Sequence, residues 1–225
     1  ILIYMKRLIS LFVLLFVACN SAKTTDSLLA EVWEKDQSVR LRLAELTKAV
    51  SVEGRMDLID SLVSVVDEQQ HIDEENMAVV DSLLYRGLPM GLSADSYKTI
   101  WIVIDHASLE KQEQYLSIIK KMSSEGLIDV DNYAILFDRI AMKQNRPQRY
   151  GSQSVQFGSP DNMHLYIWPV ENAQSLDSLR ATVGMGPILK YLEQLTEYSG
   201  IEAQYEPLMT IEEINKIRSR YEEEF

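Results

Sequence analysis

Three histidines, His71, His106 and His164, are the first candidates for acid–base or metal chemistry, because imidazole titrates closest to neutrality. They are far apart in the sequence. His71 and Glu75 stand at i, i+4, half of a metal site at most, since a closed site needs three or four ligands. A solvated acidic helix face accounts for that pair, and no metal is expected there. His106 is more promising, because it follows Asp105 at the end of the apolar run 101–104. Asp138 lies four residues after Ala134 and three before Ala141, so small neighbours on its helix face leave a dent beside the carboxylate. Arg139 adjoins it. Gln148, Arg149, Tyr150 and Gln153 follow closely, and Asp177 and Arg180 stand at i, i+3 further on. If His106, Asp138, Arg139 and Tyr150 converge, they form a general acid–base site, with Gln148, Gln153 and Arg180 as ligand-binding groups. The same residues would serve equally as a buried network pinning one part of the chain to another. Both readings remain open on the sequence.

Several familiar chemistries are missing. There is no Gly-x-Ser-x-Gly elbow, no phosphate-cradling glycine-rich loop and no His-Glu-x-x-His. No cofactor is expected. The chain has 34 acidic and 22 basic residues in 225. That balance argues against nucleic acid as a partner, since phosphates call for clustered Lys and Arg. An acidic, solvated surface is a sufficient explanation of the charge.

The elements that must position these groups are mostly helical. Leu28, Leu29, Val32, Trp33, Val39, Leu43, Leu46 and Val50 recur at helical spacing, as do Met56, Ile59, Leu62, Val63 and Val66 beyond Gly54. An acidic stretch, 67–75, leads to Met77, Val80, Leu83 and Leu84, and Gly87 and Pro89 end this helix. Ser93 is placed to cap the next helix, which carries Tyr97, Ile100, Trp101 and Ile104. Residues 101–104 alone would suit a buried strand, but the flanks on both sides are helical. A helix over 109–122 closes at Gly126, and Asp129 is placed to cap another bearing Val130, Tyr133, Ala134, Phe137, Ile140 and Ala141. Trp33, Trp101 and the methionines read as core.

From Pro147 the texture changes. Residues 150–157 alternate, Gly158 to Asn162 turn, and 163–168 follow as a second run, the signature of a β-hairpin. Short helices are expected near 175–183 and 187–197. Thr210-Ile211-Glu212-Glu213 is a capping box opening a final helix. The fold class is mainly α, a multi-helix bundle with one small β-hairpin near residues 150–168.

The N-terminus reads as a leader. Lys6 and Arg7 follow Met5, the expected start, and an apolar run from Leu8 to Val17 comes next. That run is too short to span a bilayer, which takes roughly 20 residues. Leu15-Phe16-Val17-Ala18-Cys19 resembles the lipobox of bacterial lipoprotein signals, with Phe16 where Leu is usual. The resemblance implies cleavage before Cys19 and lipid on that cysteine, hence a membrane partner reached through the lipid. Residues 1–18 are then a signal peptide, 19–27 a tether, and 28–225 a single mostly helical domain. Removing 1–18 takes Lys6 and Arg7 and no acidic residue, so the remainder carries a formal charge of −14. Asn20 is not the aspartate of inner-membrane retention, which favours the outer membrane within the cell envelope. Cys19 is the only cysteine, so the domain has no disulfide and no thiol nucleophile.

Taken in order, Trp33…Asp36…Arg40, Gly87-Leu88-Pro89, His106-Ala107, Asp138-Arg139, Gln148-Arg149-Tyr150-Gly151-Ser152-Gln153 and Leu176-Asp177…Arg180…Val183-Gly184 resemble an uncharacterised bacterial domain-of-unknown-function family. Its members are often exported or lipid-anchored. The resemblance spans about Leu28 to Leu195 and implies a shared, mainly α domain and one shared polar centre, but no activity. Two functions follow as expectations. One is a lipid-anchored envelope protein that binds an unknown protein or small molecule or serves a structural role. The other is a hydrolase-like enzyme in which His106 is the base, Asp138 its orienter and Arg139 or Arg180 the anion stabiliser.

Overall fold

The computed structural model describes residues 24–51, 53–159 and 162–222. The stretch read as a signal peptide, Cys19 and the expected tether up to Lys23 lie outside the described residues, as do Pro160 and Asp161 of the expected turn. The first helix, α1 (Thr25–Ser51), starts inside the stretch read as tether. The reason is local. Thr24 Oγ1 accepts from Ser27 N at 3.1 Å, a capping bond that starts the helix. Asp26 then reaches across to accept from Ser93 N (3.0 Å) and Ser96 Oγ (2.6 Å).

After a single 3₁₀ turn (Met56–Leu58), α2 (Ile59–Leu84) returns along α1, so the acidic stretch 67–75 lies within one continuous helix. α3 (Ala94–His106) packs on both. Ser93 caps it through Ser96 N, as its sequence position requires. Its residues 101–104 are helical because Ile100, Val103 and Ile104 bury together at helical spacing. α4 (Leu109–Ser124) and α5 (Val130–Lys143) form a second antiparallel pair. Asp129 stands at the start of α5, but its side chain makes no capping bond. One core joins the five helices, including Leu29, Val80, Ile100, Ile104, Ile119 and Leu136. Trp101 is partly buried and donates its indole N–H to Asn132 O at 3.1 Å. Trp33 stands half-buried under Lys98, whose Nζ lies 4.9 Å from its ring centre.

The hairpin is present, as β1 (Ser154–Ser159) and β2 (Asn162–Ile167) in register from Ser154↔Ile167 to Ser159↔Asn162. A third strand, β3 (Ala203–Gln204), runs parallel to β2 and gives the order β1-β2-β3. Two residues are too few to show an alternating pattern. Between β2 and β3 lie α6 (Leu176–Thr182) and α7 (Ile188–Ser199). One cluster, Ile167, Leu176 and Ile188, joins the sheet to these helices. Another, Phe157, Trp168 and Ile214, joins it to α8 (Ile211–Glu222). The capping box of α8 forms in both directions, Thr210 N to Glu213 Oε2 at 2.9 Å and Glu213 N to Thr210 Oγ1 at 3.2 Å. Among the described residues no helix is long and apolar enough to cross a membrane.

Candidate functional site

The segment Gln148–Gln153, which joins α5 to the hairpin, is shaped by side chains acting in place of a strand. Gln148 is fully buried. Its amide Nε2 donates to Gln153 O (2.9 Å) and Trp168 O (2.7 Å), and its Oε1 accepts from Gln153 N (2.8 Å). A side-chain amide thus pairs as a peptide group would. Asp138, fully buried on α5, holds the same segment from the other side. Its carboxylate accepts from Arg149 N (2.8 Å), Tyr150 N (3.1 Å), Ser152 N (3.0 Å) and Ser152 Oγ (2.9 Å). Burial pushes this carboxyl above its ordinary range, against the pull of the Ser152, Arg149 and Tyr150 amides.

Gly151 sits between these anchors at φ +63°, where a Cβ would also meet Ile188 and Leu176 at 3.4 Å. The carbonyls of Tyr150 and Gly151 are left facing Arg180, whose Nη1 donates to them at 2.8 and 3.1 Å while its Nε donates to Gly186 O at 2.6 Å. Tyr191 lies 5.0 Å beneath the guanidinium and donates its hydroxyl to Ser152 O at 2.8 Å. Arg180 is only 3% exposed. Three carbonyls accept from it, but among the described residues no carboxylate lies within ion-pair distance. Burial lowers its pKa, against Tyr191, Asp177 and Asp138, whose nearby charges raise it.

Arg180 lines a cleft of about 570 Å³ between α5, the start of β1, α6 and α7. Asp131, Ile135 and Arg139 form one wall, at i, i+4 and i+8 along α5, and Ser152, Gln153 and Gln194 add polar groups. Arg139 donates from Nε to Asp105 Oδ1 at 2.8 Å. Lys143, one turn further, donates to Ala107 O at 3.0 Å. Burial, then the neighbouring Arg139, lowers the Lys143 pKa.

The polar residues expected to converge fall into two groups. Asp138, Gln148, Tyr150, Gln153 and Arg180 do come together, and Arg139 joins them at the cleft. Tyr150 lies against Ala134, Val183 and Phe137 instead of lining the cleft, and burial raises its phenol pKa. His106 belongs elsewhere. Its Nδ1 lies 3.0 Å from Asp36 Oδ1 on α1, so Asp36, and not Asp138, orients it. The lone pairs of Asp138 are already taken by the Gln148–Gln153 segment. Arg40 completes this second centre, pairing through Nη1 with Asp36 (2.9 Å) and through Nη2 with Asp73 (2.8 Å).

Asp36, Asp73 and His106 place ligand atoms within 4.8 Å of one another, so they are the described residues that could hold a cation. Arg40 already supplies positive charge to both carboxylates, and an ion would have to displace it. His106 also borders a second cleft of about 520 Å³, with Asp73, Glu74, Asp81 and Lys111. His71 is an exposed partner of Glu75 at 3.2 Å. His164 packs among Phe157, Tyr166 and Tyr221.

Some of these groups had a sequence signal. Asp36 and Arg40 stand at i, i+4 in a motif stretch, the spacing of an ion pair on one helix face. Asp131 lies two helical turns before Arg139 on the same face. Asp73 is one acid among many in its stretch, and nothing in the sequence marks Tyr191 for the cleft.

The model of a Family of unknown function (DUF6624) matches residues 25–204 of this chain. The chain belongs to that family, in line with the resemblance read from its motifs. No curated protein and no solved structure matches it.

Proposed function

We propose that this chain is a lipid-anchored cell-envelope protein that binds a small anionic ligand in the Arg139–Arg180 cleft. One observation carries the binding reading: Arg180 is almost fully buried beside a cleft, and its hydrogen bonds among the described residues go to carbonyls and to no carboxylate. Removing a guanidinium from water costs several kcal/mol, and carbonyl acceptors recover only part of that. An anion entering the cleft would supply the missing charge. Arg139 would assist, since its bond to Asp105 uses Nε and leaves both Nη groups without a bond among the described residues. The basic, apolar and small-residue order of Lys6 to Cys19 supports the anchor, and Asn20 supports the outer membrane.

Thermal denaturation of the full chain in detergent, with phosphate, acetate, succinate or citrate added, tests the binding. A saturable rise in melting temperature of a few degrees is expected, reduced in Arg139→Gln. Indifference to every anion would refute it. Labelling with radioactive palmitate tests the anchor, since Cys19→Ala should abolish incorporation.

A second reading has its own observation. The Nδ1 of His106 is held by buried Asp36, and its Nε2 has no bonding partner among the described residues, beside the second cleft. That is how a general base is oriented. Hydrolysis of nitrophenyl esters that disappears in His106→Ala would favour an enzyme there.

A further inference from the structure

The cleft is charged differently along its length. Asp131 stands at one end of the α5 wall and Arg139 at the other, eight residues on. That offset is about 12 Å along the helix axis. Arg180 adds positive charge to the cleft without a paired carboxylate. Asp131 brings the opposite charge to the cleft and pairs with no cation among the described residues, and its Oδ1 is buried without a hydrogen-bond partner. Burial, then the charge of nearby Asp129, pushes its carboxyl pKa up, against the pull of the Asn132 and Asp131 amides. The wall between the two charged residues is apolar, at Ile135. Gln153 and Gln194 border the same cleft with amides that can pair with a peptide backbone.

Resting on the anion-binding reading of this cleft, we propose that its ligand is dipolar: a short peptide with a free N-terminal ammonium on Asp131 and a free C-terminal carboxylate on Arg139 and Arg180. Length agrees with this. An extended tripeptide spans roughly 10 Å, matching the separation of the charged residues once side-chain reach is allowed.

Calorimetric titration of the full chain in detergent with triglycine, N-acetyltriglycine, triglycinamide and inorganic phosphate tests the proposal. Triglycine should bind most tightly. Blocking either end should weaken it by about ten-fold or more, the loss of one charged hydrogen-bond partner. Asp131→Asn, with unchanged melting, should bind triglycine and N-acetyltriglycine equally, at the affinity the wild type shows for the acetylated probe. If N-acetyltriglycine matches triglycine in the wild type while triglycinamide is weak, the anion reading stands and the dipolar ligand is refuted. If phosphate binds but no peptide does, the dipolar ligand is refuted as well. If no probe binds, both fall.

Discussion

Replacing Asp138 is the sharpest test of how the cleft is built. Its carboxylate accepts three backbone N–H groups and one hydroxyl, and all lie in Gln148–Gln153. In Asp138→Asn one oxygen survives and can still hold Arg149 and Tyr150. The new amide nitrogen then faces Ser152 N, donor against donor, while the Ser152 hydroxyl can turn and accept. One buried N–H is orphaned, at about 1–3 kcal/mol. Loss of the charged acceptor weakens the remaining bonds, and the neutral amide escapes the cost of burying a charge. The net loss should be about 2 kcal/mol. Asp138→Ala orphans all three amides and opens a cavity, so it should cost about 4 kcal/mol, near the top of the range for point substitutions. Urea denaturation gives both numbers. Hydrogen exchange at the amides of Arg149, Tyr150 and Ser152 shows where the loss falls. An Asn variant within about 0.5 kcal/mol of wild type, or unchanged exchange at those amides, would sink the idea that this carboxylate shapes the segment.

Three further outcomes are expected. Burial, helped by the hydrogen bond to Asp81, pushes the Tyr115 phenol up to about 12. Its folded pKa lies above the unfolded value of about 10, so its stabilisation is complete below that value and is lost as pH rises through about 12; in alkaline urea titrations Tyr115→Phe should lose less stability than wild type. Asp36→Ala leaves both Arg40 and His106 without their shared partner. A fully buried pair would lose 3–5 kcal/mol, but Arg40 is partly solvated, so about 2 kcal/mol is expected in chemical denaturation; an unchanged midpoint would show that the network contributes nothing. Gly151→Ala must hold a methyl at φ +63° beside Ile188 and Leu176, which should lower stability by about 1–2 kcal/mol, and a neutral result would mean the turn relaxes freely.

How much of this was readable in advance depends on the range of the forces involved. The helices around Ile100, Val103 and Ile104, the cap at Ser93 and the box at Thr210–Glu213 follow from local periodicity and local bonds, and they are present. The hairpin follows from alternation in two adjacent runs. β3 depends on where α7 delivers the chain, with Ala203 N held by Thr196 Oγ1 at 2.9 Å, and no local pattern encodes that. The site divides in the same way. Asp138, Gln148 and Arg180 stand out as polar residues among apolar ones, and that marks burial correctly. The partner of His106 is a matter of packing between α1 and α3, seventy residues apart. Sequence order pointed towards Asp138, whereas three-dimensional order chose Asp36.

The end of α3 explains why two polar centres formed instead of one. Asp105 and His106 are consecutive, so on a helix they point about 100° apart. Asp105 reaches α5 through Arg139, and His106 reaches α1 through Asp36. The backbone at this end is tied as well, Asp105 O by Gln112 Nε2 at 2.6 Å and Ala107 O by Lys143 Nζ at 3.0 Å. Each tie satisfies a carbonyl that a helix end leaves open. A lysine there also suits the partial negative charge of the helix terminus. For the cleft, the consequence lies in how Arg139 is held. Asp105 takes its Nε edge and fixes the plane of the guanidinium without covering the Nη groups. Asp105 is nearly fully buried, whereas the Arg139 side chain is 30% exposed. The pair therefore holds a partly exposed cation in the wall of the cleft that the buried Arg180 also lines.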